Sequence, residues 1–91
     1  MTRWSVGVEA EGDREITQDE ILALAYAVAT SGGIASGIGT PRYGARLVVV
    51  ADTRESAEAK ARTEFTAAAR TANLPPWPIT RLETTNEHED T

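Results

Sequence analysis

The chain has 91 residues, 41% of them hydrophobic and 25% charged, which fits one small globular domain with a single core and leaves little room for an enclosed catalytic cavity. It has no cysteine, so it offers no disulfide framework, no thiolate metal site and no cysteine nucleophile. The formal charge of −5 is unevenly spread, with acids concentrated in residues 1–30 and 83–91 and scattered bases between them, a pattern that disfavours nucleic acid as a partner.

RWSVGVEAEG, residues 3–12, alternates Trp4, Val6, Val8 and Ala10 with Arg3, Ser5, Gly7 and Glu9, the period of a half-buried strand. Thr17 precedes Glu20 by three positions, the capping-box spacing, and predicts a helix over 18–29 that stops at Ser31-Gly32-Gly33. That helix has two apolar stripes: Ile21, Leu24, Ala25 and Val28 suit a core, and Leu22, Tyr26 and Ala29 form a second that one sheet cannot cover. Its apolar block ILALAYAVA is far short of the ~20 residues that span a bilayer, and no run of signal-peptide character precedes it. A cytoplasmic protein with no membrane partner is expected.

Residues 34–40 read as a short strand weakened by Gly37 and Gly39, and Pro41 as part of a turn. ARLVVVA, residues 45–51, is apolar on both faces and therefore central. Asp52 and Thr53 predict the start of a helix over 54–72, with Ala57, Ala61, Phe65, Ala68 and Ala72 turned inward. Its outer face offers Arg54 to Glu58, Glu58 to Arg62 and Lys60 to Glu64 at i,i+4 spacing. Leu74-Pro75-Pro76 ends it, and WPITRLETT, residues 77–85, reads as a last strand placed at an edge by Pro78. The domain is expected to occupy residues 1–85, followed by an acidic flexible tail over 86–91.

The order β α β β α β predicts an α+β fold of ferredoxin-like type: a four-stranded antiparallel sheet in spatial order fourth, first, third, second, with two helices on one face. Residues 3–10 and 45–51 pair at its centre.

SGGIASGIGTPRYGARLVVV, residues 31–50, contains five of the seven glycines and raises the question of a phosphate loop. GTPRYGAR has two glycines at the Walker spacing, but Ala45 and Arg46 stand where lysine and a hydroxyl belong, and the run leads into a strand rather than a helix. Gly32 and Gly33 as a helix stop, Gly37 and Gly39 as bends, and Pro41 to Gly44 as a hairpin account for the run better. Arg42 and Arg46 are the anion-site candidates that remain. Glu9, Glu11 and Asp13 alternate without a calcium-loop pattern, and His88 stands between Glu87 and Glu89 in the tail, so no metal, cofactor or catalytic group is expected.

The sheet face opposite the helices is the stronger candidate. With Trp4, Val6, Val8, Leu47 and Val49 turned to the helices, Val48, Val50 and Leu82 face outward beside Ser5 and Gly7, with Arg46 at the margin. Tyr26 is a further contact candidate on the first helix. A contiguous apolar patch on a small protein marks a contact site.

W-S-V-G-V at the start, the capping TQDE and the late ITRLE followed by acids resemble the N-terminal domain of small, mostly uncharacterised actinobacterial proteins that carry a helix-turn-helix after it. The resemblance implies a sensing or dimerising module. The DNA-reading helices of that family have no counterpart in residues 1–91.

These readings predict a non-enzymatic module that dimerises through its open sheet face and regulates or scaffolds another protein. Two alternatives stand beside it. One is an acidic antagonist, antitoxin-like or phage-encoded, that engages a basic partner surface. The other is a small-ligand or anion-binding domain or enzyme that uses the glycine-rich hairpin.

Overall fold

A computed structural model describes residues 2–29 and 33–86. In chain order the elements are β1 (Thr2–Glu11), α1 (Gln18–Val28), β2 (Ile34–Ser36), β3 (Arg42–Ala51), α2 (Arg54–Thr71) and β4 (Ile79–Asn86). The strands form one antiparallel sheet in the order β2-β3-β1-β4, so the architecture is α+β with a four-stranded sheet and two helices.

The alternation in the first strand dictates the layering. Trp4, Val6, Val8 and Ala10 are all buried, and through the β1–β3 register they lie beside Val49, Leu47, Ala45 and Tyr43. Ile21, Leu24 and Val28 of α1 and Ala57, Ala61, Phe65, Ala68 and Ala69 of α2 close over this face in one core. The alanine stripe lets α2 approach closely, and Phe65 is its one large filler. Ala69 is buried and Ala72 only half-buried, because the final turn of α2 rotates away before Leu74 drops into the core.

Three expectations need correction. Gly44 does not close a hairpin: it lies inside β3 opposite Glu9, where an added Cβ would come 2.7 Å from the Val8 carbonyl oxygen. The chain reverses instead over residues 37–41, where Gly37 (φ 129°) and Gly39 (φ 75°) adopt backbone that other residues disfavour. They sit in the turn, beyond the short β2, which ends at Ser36. The i,i+4 ion pairs do not form on α2. Arg54 Nη1 donates to the Thr84 carbonyl (3.3 Å), Lys60 Nζ to the Val50 carbonyl (2.6 Å), and Glu58 accepts from the Thr84 hydroxyl (2.8 Å), so these side chains staple the helix to β3 and β4. β4 runs through Asn86, one residue past the expected domain end; Ser31, Gly32, His88 and the rest of the expected tail lie outside the described residues.

The capping box forms as its spacing predicts. Thr17 Oγ1 accepts from the Glu20 amide, and the Thr17 amide donates to the Glu20 carboxylate at 3.0 Å. Arg14 adds two hydrogen bonds to the same carboxylate, at 2.9 and 2.6 Å. Arg14 above all, then the Thr17 amide, holds the Glu20 carboxyl down at about 2. A carboxylate with a depressed folded-state pKa stabilises fully above its ordinary value of 4.5 and loses that contribution as pH falls towards 2. Glu20→Gln should therefore lower stability at pH 7 by about 0.5–1 kcal/mol, the scale of a capping interaction. Thermal unfolding of both proteins at pH 7, 4 and 2 checks this: the difference should shrink over that range, and a constant difference would show that charge does not drive the cap.

Candidate functional site

The helices cover one side of the sheet and leave the other bare. Ladder positions assign its residues without ambiguity: Ser5 is opposite Val48, Gly7 opposite Arg46 and Glu83, Glu9 opposite Gly44 and Arg81, and Ile34 opposite Arg46. Because directly paired residues share a face, the open face carries Val48, Val50, Arg46, Arg42, Arg81, Glu83, Ser5, Glu9 and Ile34.

Val48 and Val50 are thus where the alternation places them, and Val50 is 43% exposed. Leu82 is not with them. It pairs with Val8, the helix-facing position of β1, and packs partly buried against the core. Strict alternation along β4 sets Ile79 and Leu82 on opposite faces, but β1 and β4 shift register between Glu9 and Ala10, so both lie opposite helix-facing residues of β1. Tyr26 projects from α1 on the helix side, 82% exposed together with Leu22, and forms no surface with the valines.

Arg46 anchors a polar strip across the open face. Its Nη1 donates to Ser5 Oγ at 3.1 Å, and its Nη2 lies 3.8 Å from a Glu83 oxygen that shares its carboxylate with Arg81 (3.2 Å). Arg42 pairs with Glu9 at 3.7 Å. Arg42 and Arg46 point the same way but are four strand positions apart, about 13 Å, too far to clasp one small anion. Arg46 converges instead with Arg81, and Glu83 already fills the place between them. The shallow cleft here, about 390 Å³, is floored by Gly7 and Gly44. Glu9, committed to Arg42, does not join Glu11 and Asp13, and among the described residues no three acidic or histidine side chains gather at one point.

Two features escape a reading of the sequence. Ile34, at 72% exposure the most exposed aliphatic side chain on the sheet, extends the Val48–Val50 patch to the end of β2. In addition, β2 pairs only with Gly44, Ala45 and Arg46, which leaves the outer edge of β3 from Leu47 to Ala51 without a strand partner among the described residues. Nothing in the sequence signals it, since the expected strands over 34–40 and 45–51 are equally long, whereas β2 has three residues and β3 ten.

No buried side-chain nitrogen or oxygen lacks a hydrogen-bond partner among the described residues, and the core contains no buried polar or charged residue. A second cleft, about 440 Å³, opens between the end of α2 and the proline segment, lined by Tyr43, Phe65, Leu74 and Trp77 with Arg70 and Asn73 at its rim. The Tyr43 hydroxyl there is committed to the Pro75 carbonyl at 2.7 Å, and burial raises its pKa above the ordinary 10. No helix is long and apolar enough to cross a membrane among the described residues. Comparison of the chain with protein-family models, with curated proteins and with solved structures finds no match.

Proposed function

We propose that this chain is a non-enzymatic binding module on a ferredoxin-like framework, which self-associates through its sheet and as a dimer regulates or scaffolds another protein. The observation that carries this reading is that the exposed Val50 and Ile34 and the half-buried Val48 share the uncovered face, where a small domain gains nothing from exposing aliphatic side chains. The named ionisable groups of that face are tied to one another in the Arg46–Glu83–Arg81 triad and the Arg42–Glu9 pair, which suits a contact surface better than a reactive centre. A sensing or dimerising role is also what the resemblance of the opening and closing motifs implies.

Sedimentation equilibrium across about 10 μM to 1 mM, a span of affinities from roughly −7 to −4 kcal/mol, tests the reading. The wild type should be a dimer over the upper part of this range, and Val48→Glu should shift the equilibrium at least about tenfold towards monomer, since burying an unpaired carboxylate is costly. A wild type that remains monomeric throughout overturns it.

A further inference from the structure

The free edge of β3 has a definite chemistry. Thr40 Oγ1 donates to the Arg42 carbonyl and Lys60 Nζ to the Val50 carbonyl, both on the side away from β1, whereas Trp4 of β1 reaches the Ala51 carbonyl. Backbone groups alternate sides along a strand, so Arg42, Gly44, Arg46, Val48 and Val50 direct their N–H and C=O outward, and Leu47, Val49 and Ala51 direct theirs to β1. β2 meets the first three of the outward set or lies beside them in the turn. The Val48 N–H and C=O and the Val50 N–H have no main-chain partner among the described residues, and the Val50 carbonyl is held only by a lysine side chain.

An edge without a strand partner among the described residues, in a Leu-Val-Val-Val run, is a template for another strand, and folded proteins normally cover or blunt it. Building on the reading of the chain as a self-associating module, we propose that a second copy of this chain covers it: Leu47–Ala51 of the two copies pair antiparallel about a two-fold axis through Val49, making one sheet continuous across the dimer.

Three observations select a second copy and this register. The free stretch of five positions is symmetric about Val49, so the two-fold sets each Val48 opposite its partner copy's Val50 and forms four main-chain hydrogen bonds with no group left over. The register stops where it must, because β3 ends at Ala51 and Ile34 occupies the next position on the edge. Ile34 then abuts Val50 across the junction, which joins the exposed aliphatic side chains of the open face into one stripe.

The third observation is charge. On the helix side the edge borders a groove of about 680 Å³ between Val48–Val50 and the α2 residues Ala59, Lys60, Thr63 and Glu64. Val49 is the middle of the three strand residues that line this groove, so a two-fold through it lays the two α2 segments antiparallel and turns Lys60 of each copy towards Glu64 of the other. Lys60 holds the Val50 carbonyl in the single chain and passes to that carboxylate when the strand bond replaces it. The surface is self-complementary in shape, hydrogen bonding and charge.

Two measurements on the intact protein test the proposal. Amide exchange of the wild type, followed by NMR across the concentration range in which it dimerises, should show Val48 and Val50 slowing at least about tenfold as dimer fills, with Leu47 and Val49 protected throughout by β1. In sedimentation, Lys60→Glu and Glu64→Lys should each weaken association by about three- to tenfold by setting like charges opposite each other, and the double variant should restore it. Both residues are exposed, and because Lys60→Glu also gives up the bond to the Val50 carbonyl, thermal unfolding of each variant separates that local cost from its effect on association. If the wild type dimerises and Val48→Glu disrupts the dimer, but the charge variants leave affinity unchanged and the Val48 and Val50 amides stay unprotected, the edge pairing is overturned while association through the open face stands. A monomer at all concentrations overturns both.

Discussion

Phe65→Ala is expected to lower the free energy of unfolding by about 3–5 kcal/mol, the range for deleting a buried aromatic side chain. Phe65 is the only bulky side chain that α2 contributes to the core, the remainder of its buried stripe being alanine. Its ring stacks on Tyr43 at 5.6 Å, and Tyr43 in turn meets Trp77 at 5.7 Å, so the three rings bind α2 to β3 and to the segment leading into β4. Alanines have no reach with which to close the resulting hole. Since domains of this size are stable by only about 5–15 kcal/mol, the variant should be close to half unfolded at moderate urea, with the denaturant slope unchanged. Tyr43→Phe is the companion measurement. It keeps the stack and removes only the hydrogen bond to the Pro75 carbonyl, and a loss near 1 kcal/mol is expected. A Phe65→Ala loss no larger than this would mean that the ring stack does not hold the helix.

The second large effect is at Gly37. With φ at 129° its backbone lies where a side chain is strained, and a Cβ there would meet the Arg42 carbonyl and lie 2.9 Å from the Tyr43 Cα. Neither neighbour can swing aside, because both are main chain. Strain and crowding together predict a loss of about 2–4 kcal/mol for Gly37→Ala. Gly39→Ala provides the contrast: its φ is also positive, but nothing lies within 4 Å of the added atom, so it should lose about 1 kcal/mol. Equal losses at the two sites would show that backbone conformation alone, without the contact to β3, sets the cost. Urea titration of the two variants side by side decides this.

Periodicity made the layers and the strand order legible. Trp4, Val6 and Val8 announced β1, the Thr17–Glu20 spacing announced α1, and the alanines with Phe65 announced the packed stripe of α2. Tyr43 was not legible. It follows a proline in a glycine-rich run and reads as turn, yet it is buried in β3, because the strand begins earlier than its apolar residues indicate. Trp77 was hidden for a related reason: only the fold brings it onto Gly12, where a Cβ would collide with the indole, and beneath Arg14 at 5.9 Å. For the candidate surface, the face of Val48 and Val50 followed from alternation alone. The position of Leu82 depended on a bulge in the β1–β4 ladder, and the uncovered edge depended on how far β2 extends. Register irregularities and strand lengths are decided by tertiary contacts, which local pattern does not encode.

β1 is the inner strand whose neighbours come latest: Trp4 pairs with Val49 on one side and with Asn86 on the other. In synthesis order β1, both helices, β2 and β3 all precede β4, and until β4 docks the β1 side of the sheet is as unprotected as the outer side of β3. The two long ladders of the sheet, β1 with β3 and β1 with β4, join residues distant along the chain, which slows folding and lengthens the interval in which an unfinished sheet can pair with a neighbouring chain. An assembly that uses one edge of this sheet has to form in competition with a transient one, and the late arrival of β4 is what closes the wrong edge.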